Sequence, residues 1–140
     1  MTEGSESGIS QPVLVLVVED EALIQLLVEQ TLSEAGFQVV LAHNGERGIT
    51  LLQEERSSPI RALLTDVDLG KGMSGWELAR QARQLHPEIP VVYFTGGGAE
   101  EWSAQGVPHS ILVTKPFVPA QLVVAVSQLM NTASSTSAAT

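Results

Sequence analysis

Ile60-Arg-Ala-Leu-Leu-Thr-Asp66-Val-Asp68 reads as a short apolar strand that delivers one carboxylate at its C-terminal end and a second two residues later. Pro59 precedes it, and a loop holding Gly70, Gly72 and Gly75 follows. Working back towards the N-terminus, Val13 to Val18 is a continuous apolar run rich in β-branched residues, as expected of a strand buried on both faces of a parallel sheet. Asp20 is expected to cap a helix over about Glu21 to Ala35, stopped by Gly36. Phe37 to Ala42 is a second strand, and Asn44 caps a helix over about Gly45 to Glu55 that ends at Ser57-Ser58-Pro59. Working forward, Ser74 starts a helix to about Leu85, and Pro87 and Pro90 bracket the turn into a strand over Val91 to Thr95. Three glycines follow, then a short helical candidate from Ala99 to Gln105 and a fifth strand from Ser110 to Thr114. Lys115-Pro116 interrupts it, and Pro119 opens a last helix reaching about Met130. The alternation is (βα)5, an α/β chain whose right-handed crossovers place helices on both faces of a parallel sheet.

The composition narrows the function. A chain of 140 residues, 44% hydrophobic and 16% charged, is expected to fold as one domain over residues 12–131, with polar tails at 1–11 and 132–140. Absence of cysteine excludes disulfides, thiolate metal sites and cysteine nucleophiles. A net charge of −9 argues against nucleic acid and acidic membranes as partners. The acidic start is wrong for a secretory signal, and the apolar run after it is six residues where about 18 are needed to span a bilayer, so a cytoplasmic location is expected.

In a doubly wound sheet, ligands bind outside the carboxyl ends of the strands. Those ends carry Glu19 and Asp20, then Asp66, Thr95 and Lys115. The chain has three aspartates, Asp20, Asp66 and Asp68, and all three lie there; of its two lysines, Lys115 ends the fifth strand and Lys71 sits in the loop after the third. Crowded carboxylates repel one another and need a cation to stay ionised. Oxygen ligands without His or Cys point to Mg2+. A lysine and a threonine hydroxyl opposite the metal suit in-line phosphoryl transfer to a carboxylate.

The acidic pair of VVED (Glu19, Asp20), the acceptor in LLTDVDL (Asp66), the threonine of YFTG (Thr95) and the lysine of TKPF (Lys115) resemble the receiver domain of bacterial two-component response regulators, over Val13 to about Met130. The resemblance implies a flavodoxin-like receiver fold, a five-stranded parallel sheet in the order 2-1-3-4-5. It implies that Asp66 takes the phosphoryl group from the phosphohistidine of a sensor histidine kinase or phosphotransfer protein. Asp20 would ligate Mg2+, with Glu19 beside it and the Asp68 backbone carbonyl as a further ligand. Thr95 and Lys115 would bind phosphoryl oxygens, with a cis Lys115-Pro116 bond. The implied protein is a phospho-acceptor of the stand-alone type rather than an enzyme acting on other substrates. It would signal to a downstream protein target or serve as a phosphate shuttle or sink. The YFTGGG stretch is similar to the Phe-Ala-Thr-Gly pattern of an alphaproteobacterial subfamily.

This chain departs from the family pattern at Leu112, where receivers commonly carry an aromatic switch three residues before the lysine. The three glycines after Thr95 predict a short, labile fourth helix. Asp68 is expected to orient a water or repel the phosphoryl group, with its solvent-facing alternative left open. His43, His86 and His109 lack ligand spacing and read as surface or turn residues; Arg80 and Arg83 read as a solvated face. Trp76 and Trp102 fit either the core or a partner surface, and their glycine-flanked or polar stretches favour the surface. The run Leu122 to Val126 is apolar around more than one face; part of it is expected to be core, and the excess suggests docking or a weak homodimer. Two rival readings compete with this one. Asp66-Val67-Asp68 matches the first motif of haloacid dehalogenase-type phosphatases, but no aspartate follows Asp68 to complete that site. A receiver-like adaptor that binds partners without phosphorylation is kept alive by Leu112.

Overall fold

A computed structural model describes residues 12–54, 59–96, 99–114 and 119–139, with side chains omitted at 99, 119 and 132–139. Five strands, β1 (Leu14–Val18), β2 (Gln38–Ala42), β3 (Ile60–Asp66), β4 (Val91–Thr95) and β5 (Ser110–Thr114), alternate with five helices. The helices are α1 (Ala22–Glu34), α2 (Gly45–Gln53), α3 (Gly75–Leu85), α4 (Ala99–Gln105) and α5 (Pro119–Ala139). The sheet is parallel throughout and ordered β2-β1-β3-β4-β5, the flavodoxin-like receiver fold expected from the sequence.

Every residue of β1 and β4 is buried, because helices cover both faces of the sheet. Side chains alternate along each strand and so supply two separate cores. Leu14, Leu16, Val18, Leu63, Val91 and Tyr93 face α2 and α3, where Leu51, Leu78 and Ala82 close the layer. Val15, Val17, Leu64, Val92 and Phe94 face α1 and α5, meeting Val28, Leu32, Leu122 and Val126.

The local signals explain the helix starts. Asn44 Oδ1 accepts the Arg47 N–H at 2.7 Å, and Ser74 Oγ accepts the Glu77 N–H at 3.2 Å, the side-chain caps expected at both positions. Gly36 ends α1 at φ +100, a conformation glycine adopts without a Cβ penalty. Asp20 is not a cap. Glu21 holds the N-cap position of α1 without a side-chain hydrogen bond, and its N–H donates to Glu19 Oε2 at 2.9 Å instead. Asp20 is turned to the neighbouring acids, which leaves the helix N-terminus to Glu19.

Four other expectations are corrected. The last helix runs to Ala139 where an end near Met130 was expected. No glycine or proline lies in residues 120–139 to break it. Trp76 is buried, its ring centroid 4.7 Å from that of Tyr93 at an interplanar angle of 56°. It heads the Trp76, Ala79, Ala82 stripe of α3, and its polar sequence neighbours lie on the opposite helix face. Trp102 also turns inward, half-buried, with Nε1–H donating to Ser110 Oγ at 3.0 Å. Arg83 does not simply lie on a solvated face. Its guanidinium donates to the carbonyls of Ile89, Pro108 and His109 at 2.7, 2.7 and 3.2 Å. Those are turn carbonyls outside the β-ladder that need donors, and partial burial of the guanidinium lowers its pKa. The N-terminal tail at 1–11 lies outside the described residues.

Candidate functional site

Strand register builds the site. Val18 of β1 pairs with Thr65 of β3, so the next residues along, Glu19 and Asp66, leave the sheet side by side. This alignment depends on an irregularity: Leu14 pairs with Ile60 but Val15 with Ala62, skipping Arg61. Without the slip Val18 would meet Leu64, and Asp66 would stand one residue beyond Glu19 on the opposite pleat. Across the other edge of β3, Asp66 pairs with Phe94, and Thr95 follows it at the end of β4.

Glu19, Asp20 and Asp66 each offer a carboxylate oxygen, and the three lie within 4.8 Å of one another. Glu19 is fully buried, Asp66 is 4% exposed and Asp20 is open to solvent. Two buried carboxylates beside a third are costly in a low-dielectric setting unless a cation neutralises them. The donor set is all hard oxygen, with no nitrogen or sulfur, which fits Mg2+ chemistry. Asp68 N–H donates to Asp66 Oδ1 at 3.0 Å, and Asp68 Oδ1 accepts the Gly70 N–H at 3.2 Å. The exposed Asp68 carboxylate thus folds back onto its own loop, and the residue steadies Asp66 through its backbone. Thr65 Oγ1 donates to the Asp66 carbonyl at 2.8 Å, holding the end of the strand.

Thr95 is buried at the end of β4 and pairs with Thr114 of β5. Lys115 and Pro116, with the expected cis bond, lie outside the described residues. Leu112 is half-buried, pairs with Tyr93 and packs against the core beneath α3. The position of the expected aromatic switch is therefore filled by an aliphatic side chain.

Sequence reasoning missed Gln25. It is buried, and its Nε2 donates to the carbonyls of Glu19 at 3.2 Å and Ala42 at 3.1 Å, pinning α1 to the ends of β1 and β2. A glutamine at the spacing Gln25, Val28, Leu32, otherwise an apolar stripe, was the available signal.

An open parallel sheet with carboxylates gathered outside the carboxyl ends of its central strands defines a class of α/β crevice protein. Within that class the chain belongs to the response regulator receiver domain family, whose model matches residues 15–127. The solved structure of a response regulator receiver protein from Sinorhizobium medicae shares 41% identity and a TM-score of 0.82, covering 86% of this chain and 96% of that one. The chemotaxis protein CheY4 of Vibrio cholerae is 25% identical with a TM-score of 0.76, covering 85% of this chain and 99% of its own. The phosphate regulon transcriptional regulatory protein PhoB of Pseudomonas aeruginosa is 34% identical over 113 residues, 78% of this chain and 48% of that protein. The chain spans about half the length of several curated relatives it matches. Receiver domains belong to two-component systems, interact with histidine kinases or phosphotransfer proteins, and bind Mg2+ through an acidic cluster; Glu19, Asp20 and Asp66 are the candidate cluster here. Among the described residues, no helix is long and apolar enough to cross a membrane.

Proposed function

We propose that Asp66 is the phosphoryl acceptor of a cytoplasmic response regulator. The observation that carries this is the gathering of Glu19, Asp20 and Asp66 at one end of the central strands, next to Thr95. An Asp66 carboxylate oxygen attacks the phosphorus in line, the bond from phosphorus to the partner's histidine nitrogen breaks, and the imidazole keeps that electron pair as it leaves. Glu19, Asp20, Asp66 and the Asp68 carbonyl would hold Mg2+, which when bound neutralises charge on the transferring group. The Thr95 hydroxyl donates a hydrogen bond to one phosphoryl oxygen, and the Lys115 ammonium pairs with another. The same residues later admit water, so the protein catalyses its own phosphorylation and dephosphorylation and turns over no other substrate. Its output passes through protein contacts, to a downstream target or as a phosphate shuttle or sink. A net charge of −9 speaks against nucleic acid as a direct partner. Val124 of α5 is 54% exposed and offers a contact for a weak homodimer.

Leu112 favours a second reading, a receiver-like adaptor that is never phosphorylated. Acetyl phosphate with Mg2+ separates the two. A mass gain of one phosphoryl group, absent in Asp66→Ala, supports the acceptor; an unchanged mass in the parent protein supports the adaptor.

A further inference from the structure

The loop from β3 to α3 forms one wall of the acidic site, and its backbone is unusually free. Gly70 sits at φ +76 and Gly72 at φ +88, and glycine loses more conformational freedom on ordering than other residues. Such a loop keeps one shape only where it is tied down. At its start, Asp68 N–H donates to Asp66 and Gly70 N–H to Asp68. At its end, the Gly75 N–H donates to the Val67 carbonyl at 2.8 Å. Both ties are local.

The middle is held from a different element. Glu46, in the first turn of α2, accepts the Met73 N–H on Oε2 at 3.1 Å, across 27 positions of sequence. A Cβ placed on Gly72 would stand 2.9 Å from that same oxygen, and one on Gly70 would stand 3.4 Å from Asp20 Oδ2. The loop therefore presents bare backbone to two carboxylates at once. Asp20 belongs to the candidate metal cluster and Glu46 does not. Beside it, Gly45 leaves room for the Met73 side chain, whose Sδ would lie 2.9 Å from a Cβ there. An acid in a first helical turn ordinarily just favours the helix dipole. Here it is committed to the loop instead.

We propose that Glu46 is a positioning residue for the metal site. Its carboxylate latches the β3–α3 loop to α2, which keeps the Asp68 backbone and Asp20 aligned about the cation. The proposal rests on the phosphotransfer reading above. Glu46 acts through the backbone of Gly72 and Met73 and touches neither phosphoryl group nor metal.

Titration of the full chain with MgCl2 by calorimetry tests it. Glu46→Ala should weaken Mg2+ binding about threefold to tenfold, the scale of one lost hydrogen bond. Glu46→Gln, which keeps an acceptor oxygen, should stay within about twofold of the parent. Acetyl phosphate labelling of Glu46→Ala should be slow at low Mg2+ and recover once Mg2+ saturates. Unchanged Mg2+ affinity in Glu46→Ala overturns the latch. So does Glu46→Gln as impaired as Glu46→Ala, which would make Glu46 a long-range charge, or a slow rate that saturating Mg2+ does not restore. A parent protein that neither binds Mg2+ nor takes a phosphoryl group brings down the phosphotransfer reading itself, an outcome distinct from failure of the latch alone.

Discussion

The two flanks of the site are built differently. On the β1–β3 side, strand register sets Glu19 beside Asp66, and short bonds hold Asp66 through Asp68 N–H and Thr65 Oγ1. On the β4–β5 side the supporting contacts come from aromatic side chains. Tyr93 stacks obliquely on Trp76 and accepts the Val107 N–H at 3.1 Å. Trp102 is tied to Ser110, whose Oγ donates to the Val107 carbonyl at 2.7 Å. The first flank is a rigid seat for charge, secured by backbone pairing. The second joins the seven-residue α4 to the sheet through single side-chain hydrogen bonds. Local opening should follow the second flank, since few bonds must break there.

The largest break expected is chemical. Asp66→Asn removes the nucleophilic carboxylate and should abolish phosphoryl incorporation from acetyl phosphate by intact-mass measurement, while the thermal transition stays cooperative. The next tests the rigid flank. Gly75 begins α3 directly against the Asp66 carbonyl and Val67 Cα, where an added Cβ has no room. Gly75→Ala should cost about 1–3 kcal/mol in chemical denaturation, as overpacking against backbone does. An unchanged midpoint would mean that α3 can slide away from β3.

Two smaller effects concern the second flank. Trp102→Phe keeps most of the ring but loses the Nε1–H donor to Ser110, and should cost about 1 kcal/mol. Hydrogen exchange should speed up in α4 and leave β1 and β3 protected. Uniform acceleration across the chain would erase the distinction between the flanks. Tyr93 supplies the mildest test. Burial raises its phenol pKa above the ordinary 10.0, against smaller opposing contributions from the Val107 hydrogen bond and nearby arginines. The unfolded chain then releases this proton at lower pH than the folded one, so its contribution is fully present below pH 10 and is lost as pH rises through the folded value. Alkaline melts should show the parent losing stability above about pH 10 more steeply than Tyr93→Phe.

Much of this was legible in the primary structure, because its signals are local. The starts of β3, β4 and β5 and the caps at Asn44 and Ser74 follow from apolar runs, prolines and short polar side chains. The acids could be found because aspartates are few and cluster at strand ends. Trp76, Trp102 and Arg83 were misjudged for one shared reason: polar neighbours along the chain say little about which way a helical side chain points. Gln25 and Glu46 escaped because their partners are distant, 17 residues away at Ala42 and 27 at Met73.

The sequence by itself determined the order of strands and helices, the acidic and oxygen-only character of the site, and the aliphatic residue at 112, since each depends on residue type and short-range pattern. Tertiary structure decided the alignment of those parts. The slip at Arg61 brings Asp66 level with Glu19, Gln25 fixes α1 over the strand ends, and Glu46 holds a glycine-rich loop beside Asp20. Pairing register and long-range hydrogen bonds depend on distances between segments that no local pattern encodes.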